Sequence, residues 1–309
     1  MQPTIAKPLL PAKPERHRRF GSTAPVPGDK PTTKEQMADL QNHREDFLFP
    51  LDRVGICEVR HPIQVRSELA PRLQTSIAAI SLATSLRRES KGINMSRLTE
   101  QLERYRQKGW AAEIPELCEF AQELARVMDQ ERAELTITFP WFYERSAPVT
   151  GQTGLNHAEV SIHVGYEKGQ APAITLGMSV AVTTLCPCSK EISEYSAHNQ
   201  RGMVTLSAEI DPSAFSDQDW KTAFLEAAES NASSALHPIL KRPDEKRVTE
   251  QAYENPRFVE DMARLVAADL YEMNAVRAFT VTCRNEESIH LHDAVASIAY
   301  DKRKEEAAP

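Results

Sequence analysis

The sequence predicts an α+β protein made of two tandem modules, each an antiparallel sheet with a pair of helices. Some segments alternate apolar and polar residues, as half-buried strands do, and others repeat apolar residues at helical spacing. These segments follow the order strand pair, helix pair, strand pair, and the same order then occurs again. The repetition predicts modules at residues 48–170 and 171–309, after an N-terminal tail of residues 1–47.

The first module contains the clearest helical pattern of the chain. Leu117, Phe120 and Leu124 recur at the spacing of one helix face. Pro71 interrupts a long strand pattern because proline cannot donate to a sheet. The predicted elements are strands at 54–60, 64–86, 133–145 and 158–166, helices at 96–108 and 115–132, and a turn at 169–172.

The second module begins with an apolar, β-branched run at residues 173–185, which is typical of a buried strand. Pro256 is placed in the first turn of the last helix, a position that proline favours. The predicted elements are strands at 173–185, 203–210, 276–284 and 290–300, and helices at 217–230 and 256–273.

The N-terminal tail is basic and rich in proline. Residues 1–47 hold seven of the 20 prolines, and they show no apolar periodicity that could form a core. We expect a disordered, solvated tail or a segment draped over a neighbour.

Composition excludes several classes of protein. The 309 residues carry a formal net charge of −7, which argues against a general nucleic-acid binder. No apolar run reaches the roughly 18 residues of a membrane helix, and the N-terminus lacks an apolar signal core. The odd count of five cysteines argues against a disulfide framework. These features predict a cytoplasmic protein without a membrane or nucleic-acid partner.

The signature segment, residues 185–202, reads LCPCSKEISEYSAHNQRG and lies between two predicted strands. It holds Cys186, Cys188 and His198 in a polar loop, the usual place for chemistry mounted on a rigid scaffold. A structural zinc clip is one alternative, but such sites commonly use CxxC spacing rather than CxC. A disulfide between the two thiols would close a small strained ring.

The whole segment resembles the prokaryotic GTP cyclohydrolase family of type IB, which makes the first pterin of folate synthesis. The resemblance runs from about residue 50 to residue 301. It rests on CPCSKEIS and AHNQRG, and on KGINMSRL (91–98), LKRPDEK (240–246), AYENPRFVED (252–261) and ESIHLHDAVA (287–296). It implies the tunnelling fold (T-fold) in two modules per chain, with subunits joined into an oligomeric barrel as a homotetramer.

The resemblance also implies a divalent metal site. It assigns the ligand positions to Cys186, His198, Glu245, Glu287 and His290. The mixed thiolate, imidazole and carboxylate donors leave Mn²⁺, Fe²⁺ and Zn²⁺ open. Glu287 and His290 would face opposite sides of a regular strand, so a bend is expected between them. Glu245 read without the resemblance is a solvated residue in a charged run.

The implied reaction converts GTP and water to 7,8-dihydroneopterin 3′-triphosphate and formate. Cys186, Cys188 and His198 are the expected catalytic residues, with Cys186 as the metal ligand and Cys188 as the free thiol. The two thiols could exchange these roles.

The substrate, GTP, requires both a triphosphate site and a guanine site. The expected triphosphate contacts are Ser96, Arg97, Lys190 and Arg201, each of which could instead form surface contacts. Glu260 is expected to bind the guanine edge, as the fold generally anchors a planar ring with a glutamate. The alternative is an exposed glutamate that serves only the helix dipole.

Three rival functions follow from the same residues. One is another T-fold enzyme that acts on a pterin or a deazapurine, and a second is a GTP cyclohydrolase that forms a cyclic phosphate. The third is a metal-binding protein without enzymatic activity.

Overall fold

The computed structural model describes residues 10–211 and 219–306. The described residues fall into two compact units that divide after Leu40. The first unit contains helix α1 (Lys13–Arg19) and a 3-10 turn (Lys34–Gln36), and neither contains a buried residue. The disorder expected for residues 1–47 stays a prediction, and residues 1–9 lie outside the described residues.

The second unit is built on one antiparallel sheet. In the described part of the chain it has eight strands, and each strand pairs with its neighbours in sequence. The strands are β1 (Leu51–Arg66), β2 (Leu73–Leu86), β3 (Arg132–Ser146), β4 (Thr153–Glu167), β5 (Ala173–Leu185), β6 (Asn199–Ile210), β7 (Val276–Glu286) and β8 (Ala294–Asp301).

Helices cover one face of this sheet and enclose the core between themselves and the strands. Phe120 of α3 and Val266 of α7 are fully buried there, as is Ile137 of β3. The residues that alternate with the core positions, such as Thr136 and Ser179, form a second face that is polar and more exposed. No helix among the described residues is long and apolar enough to cross a membrane. The helices of this unit are α2 (Met95–Gln107), α3 (Ile114–Met128), α4 (Pro187–Ile192), α5 (Trp220–Glu229), α6 (Arg242–Glu254), α7 (Val259–Glu272) and α8 (Arg303–Glu306).

The predicted fold class, a tunnelling fold in two tandem modules with a sheet each, is wrong. β4 and β5 pair directly, with Val160 opposite Met178 and Val164 opposite Ile174, so the two halves share one continuous sheet. The reason is the short connection after β4, because a few turn residues return the chain as a hairpin. The boundary expected after residue 170 falls within this hairpin turn.

Several element predictions also need correction. β1 continues to Arg66, and the strand expected at 64–86 starts only at Leu73. The strand expected at 290–300 starts at Ala294. The last long helix begins at Val259 rather than at Pro256. The helix expected at 217–230 is α5, although residues 217 and 218 lie outside the described residues.

Helix α6 was missed entirely because its sequence, RPDEKRVTEQAYE, is mostly polar. Only Asp244 and Ala252 are buried in it, too few to produce an apolar period.

The strand register defines two ends of the sheet. Leu185 lies opposite Asn199, Arg201 opposite Glu286, and Asn285 opposite Ala294, so the ends of β5 and β7 meet the starts of β6 and β8. We call this the signature end. The opposite end carries the C-termini of β2 and β6 and the N-terminus of β3. α2 follows β2 and therefore begins at the opposite end.

Candidate active site

The signature segment folds into a closed loop at the signature end of the sheet. Cys186 caps the N-terminus of α4, and its thiol accepts a hydrogen bond from the Ser189 backbone N–H at 3.4 Å. The Cys186 N–H donates to the His198 carbonyl at 3.1 Å. The Ser189 hydroxyl donates to the Cys186 carbonyl and accepts from the His198 N–H, each at 3.2 Å. Cys186 and His198 are therefore held at the two stems of one loop.

The two thiols of this loop differ in exposure. Cys186 is half-buried at the end of β5, whereas Cys188 is exposed in the first turn of α4. Cys186 therefore belongs to the loop stem, and the thiol of Cys188 is accessible to a dissolved molecule.

His198 belongs to a polar chain that continues into the sheet. Its Nδ1 lies 2.9 Å from Oε1 of Gln200, and Nε2 of Gln200 donates to the Thr184 hydroxyl at 3.0 Å. Thr184 and Gln200 are cross-strand partners in β5 and β6, and both are buried. A carboxylate oxygen of Glu287 lies 3.9 Å from the same Nδ1. Gln200 and Glu287 therefore both face Nδ1 of the imidazole.

Glu287 and His290 lie in the connection between β7 and β8, not in a strand. The His290 N–H donates to the Glu287 carbonyl at 3.4 Å, which is the bend that the sequence requires between them. The rings of His290 and His292 stack with their centroids 4.8 Å apart, and both residues are exposed. His290 is therefore at the signature end, and as an exposed residue it is not part of the buried polar chain of His198.

The connection between α6 and α7 lies against the same end of the sheet. The Arg257 N–H donates to the Leu185 carbonyl at 3.0 Å. The ammonium group of Lys190 donates a hydrogen bond to the Tyr253 carbonyl at 2.6 Å. Its Nζ lies 4.2 Å from the centroid of the Tyr253 ring. Glu260 is exposed in the first turn of α7. The structure therefore brings Lys190 to the C-terminal end of α6.

Asp244 is a residue that the sequence reasoning missed. It neighbours the exposed Glu245 and is fully buried. Its carboxylate accepts hydrogen bonds from the Val149 N–H, the Lys241 N–H, and the N–H and hydroxyl of Thr150, all at 2.7–2.9 Å. Burial alone would raise the pKa of Asp244, but these hydrogen bonds outweigh it and hold the pKa well below its ordinary value. The available signal was an Asp three residues after the N-cap, the capping-box position.

Two predicted substrate contacts lie elsewhere in the chain. Ser96 and Arg97 are in the first turn of α2, at the opposite end of the sheet, and the Ser96 hydroxyl donates to the Asn94 side chain at 2.7 Å. Arg201 is exposed on β6 at the signature end, opposite Glu286. Within one chain, Lys190 and Arg201 therefore lie at the signature end, whereas Ser96 and Arg97 lie at the opposite end.

The donor types at the signature end fit a divalent cation, although their arrangement is incomplete. Cys186 supplies a soft thiolate and His198 a borderline imidazole on the stems of one loop. Within residues 10–211 and 219–306, no three His, Cys, Asp or Glu side chains come close enough together to hold a metal ion. Glu245 is exposed in the first turn of α6, and Glu287 and His290 lie in the connection between β7 and β8. None of the three joins the pair in such a group.

Sequence comparison places the chain among the GTP cyclohydrolases. The family described as type I GTP cyclohydrolase FolE2 matches residues 37–296. GTP cyclohydrolase FolE2 of an Exiguobacterium species is 59% identical over 298 residues, covering 96% of this chain and 97% of that protein. GTP cyclohydrolase FolE2 of Bacillus licheniformis is 57% identical over 293 residues, covering 95% of this chain and 98% of that protein. The chain belongs to the FolE2 family. The prediction of a GTP cyclohydrolase is therefore confirmed, whereas the label type IB is not.

Solved structures with a related backbone share little sequence with this chain. Uricase from Arthrobacter globiformis has a TM-score of 0.48 at 8% identity, over 81% of this chain and 93% of that one. Urate oxidase from Bacillus subtilis 168 has a TM-score of 0.43 at 6% identity, over 81% of this chain and 99% of that one. At these values the likeness carries no argument about this chain.

Proposed function

We propose that the protein converts GTP and water to 7,8-dihydroneopterin 3′-triphosphate and formate, the first step of folate biosynthesis, at the signature end of its sheet. Membership of the FolE2 family supports the reaction. One structural observation supports the location, namely the two thiols and the oriented imidazole on a single loop.

A divalent cation, Mn²⁺, Fe²⁺ or Zn²⁺, would be held first by Cys186 and His198. Glu245, Glu287 and His290 complete the proposed ligand set. Glu287 now lies beside Nδ1 of His198, so it reaches an ion held by Nε2 only if its side chain turns. A cation in this place would supply Lewis acidity that activates water for attack on the purine.

The reaction needs water added at C8, opening of the imidazole ring, and hydrolysis of the formyl group. His198 presents Nε2 to the reacting groups, since its Nδ1 faces Gln200. It can accept and return protons through Nε2 only while this nitrogen is not bound to the cation. Such positioned proton transfer contributes about 10²–10⁴-fold to a rate. Cys188 is exposed and does not belong to the loop stem. It is the proposed thiol beside C8, where it acts as an acid, a base or a nucleophile.

Substrate binding uses a second group of residues. Lys190 and Arg201 are proposed to bind the triphosphate by charge-assisted hydrogen bonds. Glu260 is proposed to accept hydrogen bonds from the guanine edge. Ser96 and Arg97 can join the same site only if α2 of another subunit reaches the signature end, which agrees with the proposed homotetramer.

The cytoplasmic location and the lack of membrane or nucleic-acid partners also stay predictions.

A direct assay tests the activity. Purified protein is incubated with GTP and Mn²⁺, and formate and the fluorescent oxidised pterin are measured. Both products are expected. Formation of a pterin with a cyclic phosphate would identify a different cyclohydrolase, and the absence of both products would contradict the proposal.

A further inference from the structure

We infer that Gln200, itself held by Thr184, is a positioning residue that keeps the proton of neutral His198 on Nδ1 and leaves the lone pair on Nε2. This inference rests on the proposed function, because it concerns the imidazole that we assign to the site. It adds two residues, one of them outside the signature segment, that have no role in the proposed metal or substrate contacts.

The first argument is the direction of the hydrogen-bond chain. The Gln200 amide donates from Nε2 to the Thr184 hydroxyl at 3.0 Å, so its carbonyl oxygen is the atom that faces His198 at 2.9 Å. A carbonyl oxygen can only accept, and the imidazole nitrogen opposite it must therefore carry the proton. In a neutral ring this leaves Nε2 unprotonated.

The second argument is the charge beside the same nitrogen. The Glu287 carboxylate lies 3.9 Å from Nδ1, and the side chains of both residues are only 16% exposed. A carboxylate next to Nδ1 favours a proton there over a lone pair. The reversed amide, with Nε2 donating to Nδ1, would require a lone pair on Nδ1 and would place that lone pair beside the negatively charged Glu287 carboxylate.

The third argument is rigidity. Gln200 is 8% exposed and Thr184 is 0% exposed, and they face each other across β5 and β6. Regular strands hold such side chains more precisely than a loop does. The imidazole of His198, which lies just before β6, thus receives its orientation from the sheet.

The ring tautomer can be measured directly. Full-length protein with ¹⁵N-labelled histidine rings, freed of metal by a chelator, is examined by NMR at about pH 8, above the ordinary histidine pKa. The His198 signals are those absent from the spectrum of His198→Gln. We expect Nδ1 to be protonated and Nε2 to be unprotonated. A wild-type ring that carries its proton on Nε2 would overturn the inference.

Variants separate positioning from a general loss of structure. Gln200→Leu removes the acceptor and should mix the two tautomers, and Thr184→Val should shift the ratio in the same direction by less. Gln200→Glu keeps an acceptor toward Nδ1 and should restore the wild-type tautomer. Thr282→Val is the matched control, since it removes an exposed cross-strand hydroxyl pair with Ser297 at 2.9 Å and should leave His198 unchanged.

Metal affinity gives an independent readout. Loss of a partner that orients a ligand histidine typically costs about 10–100-fold in affinity, so Gln200→Leu should bind Mn²⁺ about that much more weakly by calorimetry. Unchanged affinity and an unchanged tautomer in Gln200→Leu would contradict the inference. A wild-type protein with the expected tautomer but no turnover of GTP would contradict the proposed function alone.

Discussion

At the scale of single residues, the two thiols of the signature segment should fail in different ways. We expect both Cys186→Ala and Cys188→Ala to abolish turnover of GTP. Cys186 is the proposed thiolate ligand beside His198, so its loss should also weaken metal binding. Cys188 is exposed and should be dispensable for the metal. Bound Mn²⁺ at limiting free metal, measured beside turnover, separates the two. Equal retention of metal by both variants would contradict this assignment of roles.

Glu260 is predicted to select guanine. Guanine presents N1–H and N2–H₂ on one edge, and a carboxylate can accept from both, whereas adenine lacks this pair of donors. Sites built on such hydrogen bonds discriminate by up to about 10⁴–10⁵-fold. Glu260→Gln keeps one acceptor and turns a donor toward an N–H group, so kcat/KM for GTP should fall sharply while the metal stays bound.

Glu260 is exposed in the first turn of α7, where its alternative role is to interact with the helix dipole. The same variant tests this role. An unchanged kcat/KM in Glu260→Gln, with a reduced melting temperature, would assign the residue to helix stability instead.

Sequence reasoning reached the residues that sit close together in the chain. Cys186, Cys188 and His198 share one segment, and the structure holds the first and last at the stems of one loop. It missed Asp244 and the role of Gln200, because both depend on contacts with distant residues. Three of the four hydrogen bonds to Asp244 come from Val149 and Thr150, and Thr184 meets Gln200 only through strand register.

At the scale of elements, Asp244 joins the start of α6 to the turn after β3. It accepts four hydrogen bonds in a buried place, two of them from backbone N–H groups of that turn. Asp244→Asn would set an amide N–H against those donors and leave buried groups unpaired. We expect the melting temperature to fall by several degrees, measured by calorimetry. In metal-free protein, Glu245→Gln, an exposed change in the same helical turn, should leave the melting temperature unchanged.

The same residue predicts a pH dependence. The folded state lowers the pKa of Asp244, so the carboxylate stabilises the fold above about pH 4, the ordinary range of an aspartate. This stabilisation is lost as the pH falls through the lowered folded-state pKa. The difference in stability between wild type and Asp244→Asn should therefore be full at pH 7 and shrink in acid. A difference that is constant down to pH 2 would contradict a carboxylate role.

The elements themselves were largely predictable, but their assembly was not. The pattern of β5 gave its bounds, Ala173–Leu185, without error, because a buried strand shows its apolar run directly. Whether β4 pairs with β5 or closes a separate module depends on partner choice, which strand patterns do not encode. The polar helix α6 shows the other limit, since its burial is confined to Asp244 and Ala252.

At the scale of the whole molecule, removing residues 1–40 should leave the enzyme nearly intact. The described residues 10–40 form a unit of their own, and neither of their helical segments contains a buried residue. The truncated protein is compared with the full chain by kcat and by its mass in solution. A large fall in kcat, or dissociation of an oligomer, would show that the tail supports the assembly.

The opposite positions of Arg97 and the signature segment lead to the last prediction. α2 begins at the end of the sheet away from Cys186 and His198, so one chain cannot place both groups on one GTP. If Arg97 binds the triphosphate, each site must combine Arg97 of one subunit with Cys188 of another. Arg97→Ala and Cys188→Ala should each be inactive alone.

When both variants are expressed together in one cell and mix freely, about a quarter of the sites should receive an intact Arg97 and an intact Cys188. Activity should then return to roughly that fraction of the wild-type value, whereas mixing two Cys188→Ala chains with different tags should restore none. Absence of any recovery in isolated mixed oligomers would show that both residues act within one chain or that Arg97 does not touch the substrate. Because Lys190 and Cys188 share the signature end, Lys190→Ala and Cys188→Ala should not complement each other, which separates shared sites from a general effect of assembly.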